Sequence, residues 1–168
     1  MDGSIDLDKD ELEQFDLLIV GYHKAVTADT FRSTRKFIWR NNLSKIFKPS
    51  KALVKMNTKI VTEMLKKYPV DILSHPCLTM KVDMREVAEV AADLGTYIEL
   101  NGKRESLTDE EVEEVLKTNA TFIMNSDAHS KEHIGDVSVP LAQAERVGIP
   151  VERIANVTRL PDFKRIKR

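Results

Sequence analysis

Val70-Asp71-Ile72-Leu73-Ser74-His75-Pro76 is the stretch on which the reading of the fold turns. Its apolar part is too short for a helix and rich in β-formers, and it breaks abruptly into polar residues. That is the pattern of a buried strand delivering side chains to a loop. Three other stretches repeat it: Leu17-Leu18-Ile19-Val20 before Gly21-Tyr22-His23, Tyr97-Ile98-Glu99-Leu100 before Asn101-Gly102, and Thr121-Phe122-Ile123-Met124 before Asn125-Ser126-Asp127-Ala128-His129. Near-continuous apolar character predicts strands covered on both faces, as in a parallel sheet.

Helical patterns separate these runs. Leu53, Met56, Ile60, Val61, Met64 and Leu65 recur at helical spacing and stop before Pro69. Asp83 with Glu86 and Thr108 with Glu111 have the spacing of capping boxes, and Gly95 suits a helix end. Ser138 is the predicted cap of a helix ending at Gly148 and Pro150. Leu7 to Gln14 predicts a short acidic helix, and residues 27–50 a helix followed by a loop. Ile72 to Ile98 is 26 residues and Ile98 to Ile123 is 25, the length of a βα unit with its turns. The 53 residues from Ile19 to Ile72 hold a longer insertion. The expected fold class is α/β, with parallel strands alternating with helices.

A chain of 168 residues, 42% hydrophobic and 32% charged, reads as one soluble globular domain over residues 1–168. No apolar run approaches the length of a membrane span, so no membrane partner is expected. The single cysteine, Cys77, cannot form an internal disulfide and fits a reducing, cytoplasmic setting. Between Pro76 and Leu78 it reads as a buried thiol rather than a nucleophile. Charge is uneven. Residues 24–67 hold twelve bases and two acids, whereas residues 68–163 hold nine bases and eighteen acids. The basic stretch could attract phosphate esters or nucleic acid. It could equally be a set of solvated lysine-rich helix faces.

Chemistry in parallel α/β folds collects at the carboxyl ends of strands. Three of the four histidines, His23, His75 and His129, fall there, with Asp127 two residues before His129. Imidazole and carboxylate converging from several segments are the ligand set of zinc, iron or manganese. His133 reads as a solvated loop histidine. Glu99, inside a strand, reads either as a satisfied buried carboxylate or as outer support for a metal-bound histidine. Phosphate-cradling glycine signatures are absent.

Taken together and in order, these segments resemble the PHP family, the polymerase and histidinol phosphatase superfamily. The resemblance runs from Gly3-Ser4-Ile5-Asp6-Leu7, through the four strand ends, to Val147-Gly148-Ile149-Pro150 and Ile154-Ala155-Asn156-Val157. It implies a distorted (βα)7 barrel with divalent metals (Zn, Mn or Fe) at its carboxyl rim. It implies hydrolysis of phosphate esters by metal-activated water. By position, His23 and His75 would serve one metal, Asp127 a second and His129 a third. The family's opening H-x-H strand precedes the segment that matches Gly3-Ser4-Ile5-Asp6, and this sequence holds no H-x-H. The resemblance therefore implies the C-terminal part of a PHP domain, a partial barrel with incompletely bound metals and impaired hydrolysis.

Three functions compete, the last of them a different metal hydrolase, for example one acting on amides, with similar rim ligands. In the first, a PHP-type metal-dependent phosphoesterase, Lys24, Arg32, Arg35 and Arg40 would hold an anionic substrate. In the second, a non-catalytic PHP-derived module binds phosphate or nucleic acid through the same bases and the tail Lys164-Arg165-Lys167-Arg168. An open barrel would leave a sheet edge unpaired, which favours a homo-oligomer.

Overall fold

The computed structural model describes residues 3–22, 41 and 49–164. Its elements run α1 (Lys9–Leu12), β1 (Ile19–Gly21), α2 (Lys51–Lys67), β2 (Ile72–Ser74), α3 (Met84–Leu94), β3 (Tyr97–Asn101), α4 (Asp109–Leu116), β4 (Phe122–Asn125) and α5 (Ser138–Val147). Short 3-10 turns at Lys131–His133 and Val151–Arg153 flank α5. The predicted helix and loop over 27–50 lie outside the described residues, save Asn41, Pro49 and Ser50.

All four strands are parallel and lie side by side in chain order. The helices keep the same order, α2 against α3, α3 against α4, and α4 against α5. A doubly wound sheet reverses its direction of growth; this one does not. Among the described residues the sheet is open. β1 pairs on one side only, and β4 gains just a bridge from Ile154 to Phe122 on its outer side.

Register sorts the strand residues onto two faces. Val20, Leu73, Ile98 and Phe122 align across the sheet, and with Leu100 and Met124 they pack into the apolar core beneath the helices. Burying such side chains is worth roughly 1.5–3 kcal/mol each. The other face is apolar at Ile72 and at Ile123, which stands level with Glu99. It is polar toward its carboxyl end, at Ser74, Glu99, Asn101 and Asn125.

Local signals were followed with corrections. Thr108 and Glu111 form the full capping box. Asp83 accepts from the Glu86 amide, but its own amide donates to Thr58 Oγ1 at 2.8 Å, so a tertiary partner replaces the other half of that box. Ser138 is the first helical residue, not the cap; the Asp136 carboxylate takes both its amide (3.0 Å) and its hydroxyl (2.7 Å). β1 and β2 start two residues later than their apolar runs. At the start of these strands the Leu18 amide is bound by the Asp71 side chain at 2.9 Å.

Past β4, residues 154–164 form a strap that runs beside β4 and then crosses the amino end of the sheet at 162–164. Asn156 bonds both backbone groups of Met124, at 3.0 and 2.7 Å. The Tyr97 hydroxyl exchanges hydrogen bonds with Asp162, and Phe163 stands edge-on to the Tyr97 ring. Lys164 donates from its amide to Asp71 Oδ1 at 2.8 Å, and from its ammonium to the Val70 carbonyl and Thr96 Oγ1. Burial lowers the Lys164 pKa and nearby Asp71 offsets part of that. Lys164, expected in a basic tail for nucleic acid, is committed to the fold instead.

Candidate functional site at the carboxyl rim

Glu99 is the centre of the rim. The residue is 3% exposed. Oε2 accepts from Ser74 Oγ (2.7 Å), the His75 amide (2.8 Å) and Asn101 Nδ2 (3.0 Å), and Oε1 from Asn125 Nδ2 (3.0 Å). The ends of β2, β3 and β4 are thereby drawn onto one side chain. A buried carboxylate is tolerable because donors surround it. The structure thus shows Glu99 as the satisfied buried carboxylate.

His75 follows β2 directly, is buried, and has φ 34°. Asp127 lies in the loop after β4 and has φ 47°. Among the described residues these two are the only non-glycine residues with positive φ. Left-handed backbone at such residues costs of order 1–3 kcal/mol and persists where the surroundings enforce it. At His75 the enforcing contact is the bond from its amide to Glu99.

The His75 ring lies over the end of β1. A Cβ added to Gly21 would stand 2.8 Å from its Cε1 and 3.0 Å from its Nε2. Glycine is needed there to leave space for the imidazole. Its neighbour Tyr22 has its hydroxyl pKa raised by burial, and the Tyr22 carbonyl accepts from Thr79 Oγ1 at 3.1 Å.

His129 is exposed. Its Nδ1 is 2.8 Å from the Asp127 carbonyl and 3.9 Å from the Asp127 carboxylate, which leaves Nε2 as its outward nitrogen. His133 is exposed as expected, with Nδ1 3.7 Å from Asp136. His23, Lys24, Arg32, Arg35 and Arg40 lie outside the described residues.

The chemistry of the donors suits a divalent ion: a buried imidazole cradled by glycine, a carboxylate and an outward imidazole. Among the described residues, however, no three histidine, cysteine, aspartate or glutamate side chains gather closely enough to hold one.

A cleft of about 410 Å³ opens between the loops after β2 and β3, lined by Cys77, Lys81, Ser106, Thr108 and Glu110 among others. None of the predicted metal ligands among the described residues, His75, Asp127 and His129, lines it. Cys77 is buried as expected, and burial, with Glu111 next, pushes its thiol up to about 12. Such a thiol is inert at neutral pH. No helix among the described residues is long and apolar enough to cross a membrane.

No family profile matches the chain. It is similar to a probable phosphatase of Shewanella piezotolerans, 27% identical over 164 residues, covering 92% of this chain and 57% of that protein. It is similar to the DNA polymerase/3'-5' exonuclease PolX of Bacillus subtilis, 25% identical over 173 residues, covering 97% of this chain and 26% of the polymerase. A probable phosphatase of Tolumonas auensis is 24% identical over 92% of the chain and 57% of its own length. The chain thus spans about half the length of these phosphatases and a quarter of the polymerase.

Proposed function

We propose that the chain is part of a PHP-like, metal-dependent phosphoesterase whose reaction takes place at this carboxyl rim. The observation that carries the reading is the placement of the two left-handed residues. His75 and Asp127, each expected as a metal ligand, are where the backbone is strained. Similarity to proteins named as phosphatases supports the reaction class. The chain-order sheet, whose β1 edge has no second strand partner among the described residues, supports a sector of a (βα) barrel.

In this reading His75, Asp127 and His129 hold divalent ions together with His23. Such ions would activate water and neutralise phosphoryl oxygens as charge develops. The chain's own work is positional. Glu99 fixes the His75 amide, Gly21 leaves room for its ring, and the Asp127 carbonyl orients the His129 ring.

The test is elemental analysis of purified protein, with p-nitrophenyl phosphate turnover with and without added manganese. The expected result is bound metal and manganese-stimulated turnover, both diminished in His75→Ala and Asp127→Asn. No metal uptake and no turnover in the unsubstituted protein would reject hydrolysis and leave the non-catalytic binding module.

A further inference from the structure

The left-handed backbone of His75 is enforced by the bond from its amide to Glu99. That of Asp127, with φ 47°, needs a different cause, because a residue other than glycine stays in that region only where its surroundings hold it there. The residues that lead into Asp127 are held on both edges of β4. On the side of β3, the Asn125 carbonyl accepts from the Gly102 amide at 2.6 Å, and Asn125 Nδ2 donates to Glu99 Oε1 at 3.0 Å. Gly102 belongs to a turn that is itself fixed. Asn101 is buried and donates through Nδ2 to Glu99, while its Oδ1 accepts the amides of the exposed Lys103 (3.0 Å) and Arg104 (3.3 Å). A Cβ on Gly102 would come within 2.7 Å of Ser126 Cα and 2.5 Å of the Asp136 carbonyl oxygen, so the loop after β4 presses on that turn near both of its ends.

On the outer side of β4 no strand follows among the described residues, and the strap takes up the backbone groups that face that way. The Ala155 amide donates to the Phe122 carbonyl at 2.8 Å. One residue on, the Asn156 side chain closes a ring on Met124: its Oδ1 accepts from the Met124 amide at 3.0 Å, and its Nδ2 donates to the Met124 carbonyl at 2.7 Å. Asn156 is exposed, so water could satisfy its side chain without the strand. What the pairing adds is a fixed edge for β4, three residues before Asp127.

We propose that Asn156 is a positioning residue of the rim. By standing in for a neighbouring strand at Met124, it fixes the chain that enters the loop. With the Gly102 turn on the opposite edge, it forces Asp127 into its left-handed backbone. The effect reaches His129, whose Nδ1 rests 2.8 Å from the Asp127 carbonyl. The inference rests on the phosphoesterase reading for what the rim does, and adds to it a residue on the outer edge of β4 that acts through the backbone.

The test compares glycine with alanine at position 127 by urea unfolding in the presence of a chelator. Asp127→Gly and Asp127→Ala both remove the carboxylate, but only glycine adopts the positive φ without strain. With Asn156 in place, Asp127→Gly should be the more stable of the two by about threefold or more in the unfolding constant. In the Asn156→Ala background that ratio should fall to about one or below, the coupling expected of residues that act together. Asn156→Asp keeps the acceptor for the Met124 amide, loses the donor, and should fall between. Because Asn156 is exposed, neither change opens a core cavity, and Asn156→Asp carries the comparison should Asn156→Ala not fold. Arg159→Ala, which removes an exposed cation of the same strap, should leave the ratio unchanged. A ratio near one with Asn156 in place, a ratio untouched by Asn156→Ala, or an equal fall in Arg159→Ala would overturn the assignment. With manganese-stimulated turnover in hand, Asn156→Ala should raise the manganese concentration for half-maximal turnover about tenfold. The KM for p-nitrophenyl phosphate should stay within about twofold. A manganese requirement unchanged by Asn156→Ala rejects the positioning role alone. A ratio that depends on Asn156, in a protein with neither metal uptake nor turnover, rejects the phosphoesterase alone.

Discussion

Asp71 and Glu99 are buried carboxylates on neighbouring strands, one at the amino end of the sheet and the other toward its carboxyl end. Asp71 receives the amides of Leu18 and Lys164 at 2.9 and 2.8 Å, tying β1 and the strap to β2. Everything near it is closed: the Lys164 ammonium, Thr96, Tyr97 and Asp162 satisfy one another. Glu99 receives four donors to the two of Asp71, but they hold strained and exposed groups outward: His75 with its left-handed backbone and the turn of Lys103 and Arg104. The same device, a desolvated carboxylate saturated with donors, seals one end of the sheet and arms the other. What differs is whether the bonded partners lead back into the fold or out to solvent.

The largest effect should come from Glu99→Ala. It strands several buried donors and should cost about 3 kcal/mol or more of stability, measured by urea unfolding, together with the metal affinity proposed for the rim. Asp71→Ala should cost about 2 kcal/mol. It should spare the rim, so that metal affinity, measured calorimetrically on the folded variant, stays within a factor of about two. If it dropped as far as in the Glu99 variant, the two ends would not be separable. Gly21→Ala tests the cradle directly. Overpacking against the His75 ring should cost about 1–3 kcal/mol, and metal affinity should fall out of proportion to that stability loss.

The smallest effect belongs to a region neither carboxylate reaches. Asp109 is bonded by Arg146 and then Gln143, which lower its pKa from 3.8 to about 2. A depressed carboxylate contributes stability that is complete above its ordinary value and lost as pH falls toward the depressed one. Melting temperature should therefore decline between about pH 4 and pH 2, and Asp109→Asn should flatten that decline.

The strands and helices were legible because hydrophobic periodicity and caps are local. Thr108 and Glu111 lie three residues apart, and their box formed as expected. Ser138 failed as a cap because its hydroxyl is turned back to Asp136, two residues earlier, rather than to an amide further along the helix. Glu99 was legible as a buried acid, yet two of its side-chain partners, Ser74 and Asn125, lie 25 and 26 residues away, beyond any local pattern. The left-handed backbones at His75 and Asp127 carry no composition signal, since neither is glycine. Lys164 misled because a lysine among lysines and arginines reads as solvated, and only the strap's path shows where it goes.

That path sets an order of events. Each βα unit lays its strand beside the one made just before it, so assembly can keep pace with the emerging chain. The strap cannot: the Lys164 amide reaches back 93 residues to Asp71. Closing so long a span is slow relative to the local pairings. Amide hydrogens of the strap should thus gain protection last during refolding and exchange first in the native state.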